Sequence, residues 1–452
     1  MSVRHDSPQV LVVGAGIAGL TAAFRLQQAG ISATVLERSD YAGGRIRTTD
    51  HDGFRIDRAA SALFSCFSEI VPLISDAGLA DEAIPCSDLA GIVQADRTVR
   101  FRTSSRLATP LLRSLPPRAI VPLLQLALRS VRHGRHLDWT VTPAAAALDT
   151  TDTRSLSRSQ SRDLAEGILD PLIRGFTVQE TDDVSSAQMY FVLAKLLGTR
   201  WLNARNGMRF LPEGLARQLD VRLSTEVTSI VEGAHGVTVT ARPLSGPGPE
   251  QTLDAQAVVV TAPPPQALPL LPGISAQRRD LLARLRHIPA VVVHLGLDRP
   301  PQGEPAAWLV LQREHHGALD NVILDHNKAP GRVPPGRGLI SLYWNGSWSG
   351  DHLDDDNEQL TAYGMQAADR LFPGISDQVR MAEVSRWPYA LGSYPTGIFP
   401  LLQQIAQCEP RSRIRLAGDF LGMCAATNTA AATGAKAAGE IIGLLHPEKQ
   451  PS

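Results

Sequence analysis

Four apolar residues, Val10-Leu11-Val12-Val13, run directly into Gly14, Gly16 and Gly19 in G-x-G-x-x-G spacing. A short continuous apolar run of this kind suits a strand buried on both faces of a parallel sheet. Apolar residues at helical spacing follow (Ile17, Leu20, Ala23, Phe24, Leu26) and stop at Gly30, and Thr34-Val35-Leu36 predicts a second strand that ends in Glu37. In such a strand–turn–helix–strand unit, Gly14 permits the tight turn, Gly16 lets backbone approach a pyrophosphate, and Gly19 lets helix and strand pack closely. The unpaired N–H groups of the helix start then face phosphate. Glu37 lies 18 residues beyond Gly19, where a carboxylate accepts hydrogen bonds from ribose hydroxyls and repels a 2′-phosphate. The glycine spacing alone is weak in a chain with 37 glycines; strand, helix and acid falling in place together make it a dinucleotide site.

The 452 residues exceed one ordinary core, so two or three domains are expected. With 43% apolar and 20% charged residues the mix is that of a globular protein, and a net charge of −1 gives no bias toward nucleic acid. Cys66, Cys86, Cys408 and Cys424 are too far apart for a C-x-x-C zinc or redox site, so no metal is expected and a reducing, cytoplasmic setting fits. The short polar start before Val10 does not read as a signal peptide. No stretch reaches the ~18 apolar residues of a membrane span, so the expectation is a soluble or at most peripheral protein.

Shortly after Glu37 comes Tyr41-Ala42-Gly43-Gly44-Arg45-Ile46-Arg47-Thr48, a glycine pair beside an arginine, which offers a second backbone approach to pyrophosphate and a fixed cation. Here the chain resembles the flavin-containing amine oxidase superfamily, in its protoporphyrinogen oxidase and phytoene desaturase-like branch. Further segments match in order: Gly53–Asp57, Asn206–Pro212 with Leu215, the hairpin pattern Glu226–Ile230 and Val237–Thr240, Ala257–Thr261 followed by Ala262-Pro263-Pro264-Pro265, and Ile414–Asp419 leading to a small-residue helix from Ala430 to Ile442. The likeness covers roughly 1–60, 206–265 and 380–445. It implies non-covalent FAD, held by Gly14, Gly16, Ala18, Gly19, Glu37, Arg38, Gly43, Gly44, Arg45, Val227, Gly418, Asp419, Thr427 and Thr429. The fold implied is α/β: a Rossmann-like FAD-binding domain of amine-oxidase type (1–65, 206–275 and 405–447) with a second, mixed α+β substrate domain (66–205 and 276–404) that is helical at about 85–205.

Departures from the family narrow the chemistry. No second G-x-G-x-x-G sits between strand and helix patterns, since prolines interrupt Gly246/Gly248 and Gly331/Gly336, so electrons are expected to enter from the substrate and leave to dioxygen or another acceptor. Members with amine activity usually carry a lysine near the flavin N5; Ile288–Leu297, the matching strand, has none. The matching helix start, Ala425–Thr429, lacks the aromatic of an amine cage, and Trp387–Pro395 lacks the cysteine that anchors flavin in monoamine oxidases. Arg386–Tyr389 and Ser393–Gly397 resemble an aromatic run of the protoporphyrinogen oxidase-like members, which makes Trp387, Tyr389 and Tyr394 the candidate aromatics beside the ring, with core packing the alternative for each.

Other readings stay open. Arg174 can meet an anionic substrate group or pair with a neighbouring acid, and Asp325-His326-Asn327-Lys328 reads as a polar loop that could offer a base. Ser155 to Ser161 reads as a loop. Residues 97–135 hold nine arginines and no Asp or Glu, interleaved with apolar runs, which suits either a solvated face or an anionic membrane surface. The expected activity is desaturation of a C–C or C–N bond of a largely apolar small molecule by hydride transfer to flavin N5. An amine or amide oxidase, an FAD-requiring isomerase or cyclase without net oxidation, and a non-catalytic flavin-binding protein are the rivals. A long apolar tunnel would favour a lipid-like substrate, a small aromatic box an amine.

Overall fold

Val10–Val13 lies between Ala33–Leu36 and Ala257–Val260 in a five-stranded parallel sheet, and every residue of Val10–Val13 and Ala257–Val260 is buried. The structure is a computed structural model and describes residues 8–95, 97–105, 109–196, 198–245 and 248–446. Arg106, Leu107 and Gly246 therefore lie outside the described residues. Asp220–Arg222 and Ile414–Leu416 complete the sheet at its two edges, so strands from three distant parts of the chain share one layer. Helix Ile17–Gln28 crosses helix Thr427–Leu445 on this sheet, so closely that a Cβ on Gly434 would stand 2.2 Å from the Ala18 carbonyl oxygen. Thr225–Glu232, Val237–Pro243 and Gln251–Ala255 form an antiparallel three-stranded sheet beside it.

A second sheet of seven strands runs in the order Val379–Gly392, His287–Leu297, Gly338–Trp344, Leu319–Leu324, Trp308–Leu311, Leu89–Val93 and Thr98–Arg102. Its neighbours are antiparallel except Trp308–Leu311 with Leu89–Val93. Helices Thr109–Ser114 and Asp170–Thr177 pack against it, and the other helices up to Leu196 pack on one another. This is an α/β architecture, a Rossmann-like parallel-sheet domain with a second, mixed domain.

Two segments read as loops are helical. Ser157 and Ser159 sit in helix Thr153–Gln160, where Asp152 accepts from the Ser155 N–H at 2.7 Å and so caps the helix. Asp325–Lys328 forms a single helical turn rather than a polar loop, because its charges point inward. Lys328 Nζ meets Asp325 at 2.6 Å and Asp57 at 3.1 Å, and Arg332 meets Asp57 at 2.8 Å. Arg174 is likewise fully buried and pairs with Asp320 at 2.5 Å, with Asp170 and Glu180 nearby, so it serves the core rather than a ligand.

The Asp325 carboxylate continues into a buried chain: Ser341 Oγ donates to it at 2.8 Å, and the His294 ring lies 2.8 Å from Ser341 Oγ and 3.0 Å from Ser385 Oγ. Burial pushes the His294 imidazole down to about 3, with Arg58 adding to the effect. An unfolded histidine titrates near ~6.5. Between these values the unfolded chain takes up a proton that the folded chain refuses, so the stability tied to neutral His294 is complete above ~6.5 and falls as pH drops toward 3. Urea midpoints should fall as pH is lowered from neutrality, and the slope should become shallower in His294→Gln by up to about 1.4 kcal/mol per pH unit. An unchanged slope would contradict a neutral, buried His294.

Candidate FAD and substrate site

One continuous chamber of about 980 Å³ runs between the two sheets. Single-ligand pockets span roughly 300–1,000 Å³, so a chamber this large has room for a dinucleotide and part of a substrate. Gly14, Gly16, Ala18, Glu37, Arg38, Gly43, Gly44, Arg45, Val227, Gly418, Asp419 and Thr427 all line it.

The parallel sheet ends at the chamber in a bare backbone cradle. Gly14 has φ +103°, Gly43 +124° and Gly44 +56°, conformations that favour glycine. A Cβ on Gly14 would also stand 2.5 Å from Thr261 Oγ1, whose hydroxyl donates to the Val13 carbonyl at 2.9 Å. Gly16 differs: its φ of −69° suits any residue, and a Cβ there would meet nothing within 4 Å. The only thing a side chain at Gly16 would occupy is the chamber. Gly16 begins helix Ile17–Gln28 without a side-chain cap, so the first N–H groups of that helix remain available to an anion. Helix Thr427–Leu445 also begins uncapped, and Ala425, Ala426, Thr427 and Ala430 line the chamber at its start. Two positive helix ends thus address one cavity, and each favours negative charge.

Glu37 accepts from the Ala15 N–H at 2.6 Å and the Ser39 N–H at 2.8 Å, which fixes its carboxylate against the cradle with acceptor capacity to spare. Arg38 is largely exposed and pairs with Glu226 at 3.3 Å. Arg45 makes two contacts to Asp419, at 2.8 and 2.5 Å, and also donates to the Ala390 carbonyl, tying the first fifty residues to strand Val379–Gly392 and to the turn after Ile414–Leu416. The backbone cradle, the uncapped helix ends and the acid beside them fit a dinucleotide with a second aromatic ring system.

Three predicted site residues do not line the chamber. Gly19 lies behind the cradle, where a Cβ would stand 2.0 Å from the Gly14 carbonyl oxygen; its task is the close packing of helix on strand. Thr429 is fully buried, with Cys424 Sγ 3.7 Å from its hydroxyl. Tyr394 is the clearest correction. It lies beyond the end of strand Val379–Gly392, 1% exposed, packs on Phe399, and donates its hydroxyl to the Asp419 carbonyl. Burial, then the Asp419 charge, pushes that phenol well above its ordinary range, so Tyr394 is a neutral core residue. Trp387 and Tyr389 do line the chamber, and Trp387 Nε1 is steered by the Arg58 carbonyl at 3.0 Å.

Residues not singled out in the sequence complete the site. Tyr41 lines the cofactor end with Arg47 4.1 Å above its ring. His287 does not line the chamber but stands behind Tyr389, its ring 6.2 Å from that of Tyr389 and 5.5 Å from that of Phe420. Burial pushes it down to about 4, with Asp419 and Arg45 pulling in opposite senses, so it is neutral at physiological pH. The other end of the chamber is lined by Phe64, Phe67, Phe101, Leu111, Phe176, Trp201, Trp308 and Tyr343. These come from seven separate elements and the loop at Phe67 and carry no common spacing.

A chamber with this cradle, on this pair of domains, defines a flavin-dependent oxidoreductase. Residues 17–442 match the family model of flavin containing amine oxidoreductases, and the chain belongs to that family. It is an FAD-dependent oxidoreductase. Coproporphyrinogen III oxidase of Bacillus subtilis is 22% identical over 428 residues, 86% of this chain and 88% of that protein. Phytoene dehydrogenase of Streptomyces griseus is 46% identical over 63 residues, 14% of this chain and 12% of that one. Among solved structures, cyclohexylamine oxidase from Brevibacterium oxydans superimposes with a TM-score of 0.74 at 18% identity, covering 97% of this chain and 100% of that one.

Proposed function

We propose that this enzyme desaturates a C–C or C–N bond of a largely apolar small molecule. The observation that carries the reading is the lining of the chamber beyond the cofactor cradle. Among the described residues there, the only charged side chain is Arg102, which is mostly exposed and already paired with Asp88 at 2.6 Å. An apolar substrate that buries about 300 Å² in such a wall gains about 7 kcal/mol. A protonated amine entering it would lose several kcal/mol of hydration without an acid to pair with. The relatives that act on porphyrinogen and phytoene agree better with this wall than an amine does.

When bound, FAD would supply a two-electron acceptor for hydride from the substrate, with dioxygen or another compound as the final oxidant. The protein's part is placement. Trp387 and Tyr389 wall the chamber, Arg45 and Asp419 hold each other beside it, and the apolar residues exclude water. The carboxylates that line the chamber, Glu37, Glu226 and Asp419, are each held by a hydrogen bond or an ion pair at its cofactor end, so orientation dominates and the departing proton leaves to solvent or a weak base. None of the four cysteines lines it, which supports non-covalent FAD; their free state agrees with a reducing compartment such as the cytoplasm.

Anaerobic mixing of the holoenzyme with a substrate panel tests the reading. Polyene or porphyrinogen-like compounds should bleach the flavin absorbance, and alkyl amines should not. Bleaching by amines alone, or product formed without lasting bleaching, would overturn it. Acid precipitation should leave the flavin in the supernatant.

A further inference from the structure

The most exposed large apolar side chains among the described residues stand together on one helix. Val121 (60%), Leu124 (60%), Leu128 (71%) and Val131 (62%) all belong to helix Pro117–Gly134, while Leu244, next in exposure, is at 47%. At 3.6 residues per turn the four fall within an arc of about 80°. Ala119, Leu126, Ser130 and Gly134, the buried side of the helix, lie roughly opposite, against helix Ser186–Leu196, where a Cβ on Gly134 would stand 2.3 Å from Ala194 Cβ. The stripe therefore takes no part in the core.

Arg118, Arg129 and Arg132 border the stripe on one side, and Arg113 and Arg135 flank its ends; all five are exposed. Arg118 pairs with Asp163 at 2.7 Å, and the other four have no acidic partner within 4.0 Å among the described residues. Burial, then the nearby Arg132 and Arg129 guanidinium groups, lowers the pKa of the neighbouring His133. A helix with an exposed apolar stripe beside an arginine-rich band has the pattern of one that lies in a membrane interface. No described helix is long and apolar enough to cross a membrane.

We propose that helix Pro117–Gly134 docks on an anionic lipid bilayer, with Val121, Leu124, Leu128 and Val131 among the acyl chains and its arginines on the headgroup phosphates. A second copy of this chain fits the charge less well. A two-fold contact through this face would set the arginines of one copy against those of the other, with no acid on the helix to answer them. The chamber reaches exposed surface at Arg102 and Ser105, on the segment that leads toward this helix, and Leu111 also lines it. Docking would bring an opening of the chamber toward the lipid. That consequence rests on the apolar-substrate reading; the docking does not.

Sedimentation of the holoenzyme with vesicles tests this. It should pellet with phosphatidylcholine vesicles containing phosphatidylglycerol, remain in solution with phosphatidylcholine alone, and be released by high salt. Leu124→Ser with Leu128→Ser should lower the partition coefficient at least about tenfold. Arg129→Gln with Arg132→Gln should lower it about tenfold or more. Both variants should keep their flavin absorbance, which reports an intact fold. Wild-type protein that stays in solution with anionic vesicles, or binding untouched by the leucine changes, would overturn the proposal. So would a dimer in sedimentation velocity that the same leucine changes dissociate, since the stripe would then be covered by a second copy.

Discussion

Replacing Asp57 by alanine is expected to destabilise the enzyme by about 3–5 kcal/mol, a large part of the 5–15 kcal/mol typical of a folded protein. Asp57 is the shared counter-ion of two fully buried cations, Lys328 at 3.1 Å and Arg332 at 2.8 Å. It also accepts from Thr48 Oγ1 at 2.7 Å and the Met208 N–H at 3.1 Å. Burial alone would raise its pKa, but Arg332 and Lys328, with Thr48 and Met208, outweigh that and hold it well below the usual carboxylate range. Removing the carboxylate leaves two charges in the core with Asp325, 2.6 Å from Lys328, the one remaining acid paired with either among the described residues. Because the folded value lies below the unfolded ~3.9, the stability from Asp57 is complete above pH ~4 and is lost only as pH falls further. Asp57→Asn keeps much of the hydrogen bonding and loses the charge, so it should fall between alanine and wild type. Urea denaturation at neutral pH measures the series, and a loss below about 1 kcal/mol for alanine would contradict a paired, buried Asp57.

The second large effect separates cofactor binding from folding with two glycines three residues apart. Gly16→Val places a side chain where the fold has open space, in a backbone conformation that valine adopts freely, yet at the wall where a pyrophosphate approaches backbone. Thermal stability of the flavin-free protein should stay within about 0.5 kcal/mol of wild type, while FAD affinity falls at least about 100-fold. Gly19→Ala should do the reverse in order of cause. Its Cβ would stand 2.0 Å from the Gly14 carbonyl oxygen, a backbone atom that cannot swing aside, so helix Ile17–Gln28 must lift from its strand and the fold weakens before any cofactor is offered. Tight FAD binding by Gly16→Val, or a fully stable Gly19→Ala, would break this division of labour.

The cofactor cradle was legible because its parts are neighbours in sequence: strand, glycines, helix and acid occupy residues 10–37, and each local preference agrees with the fold. Trp387 and Tyr389 were singled out by the family resemblance, and they reach the chamber in a run from Trp387 to Leu391 that lines it without a break, at an irregularity in the pairing with His287–Leu297. Tyr394 did not follow them because the strand ends at Gly392, and past a strand end alternation no longer says where a side chain points. Thr429 sits in the right helical turn but faces Gly422 and Cys424, a direction set by how the helix is rotated in its packing. The helix at Thr153–Gln160 hid behind serines that disfavour helix interiors, and only the Asp152 cap argued otherwise. The Asp57–Lys328–Arg332 cluster and the apolar wall had no legible signal. Asp57 meets Lys328 across 271 residues, the wall gathers side chains from separate elements, and polar residues that answer one another in a core look singly like any surface charge.

The chamber between the two sheets is the predicted place of FAD binding. Titration of flavin-free protein with FAD, followed by the visible absorbance that stays with the protein after desalting, tests it most directly. One flavin bound per chain in the wild type, and almost none in a well-folded Gly16→Val variant, is the predicted result. Wild-type protein that remains colourless at saturating FAD, or a Gly16→Val variant that binds as much flavin as wild type, would contradict it.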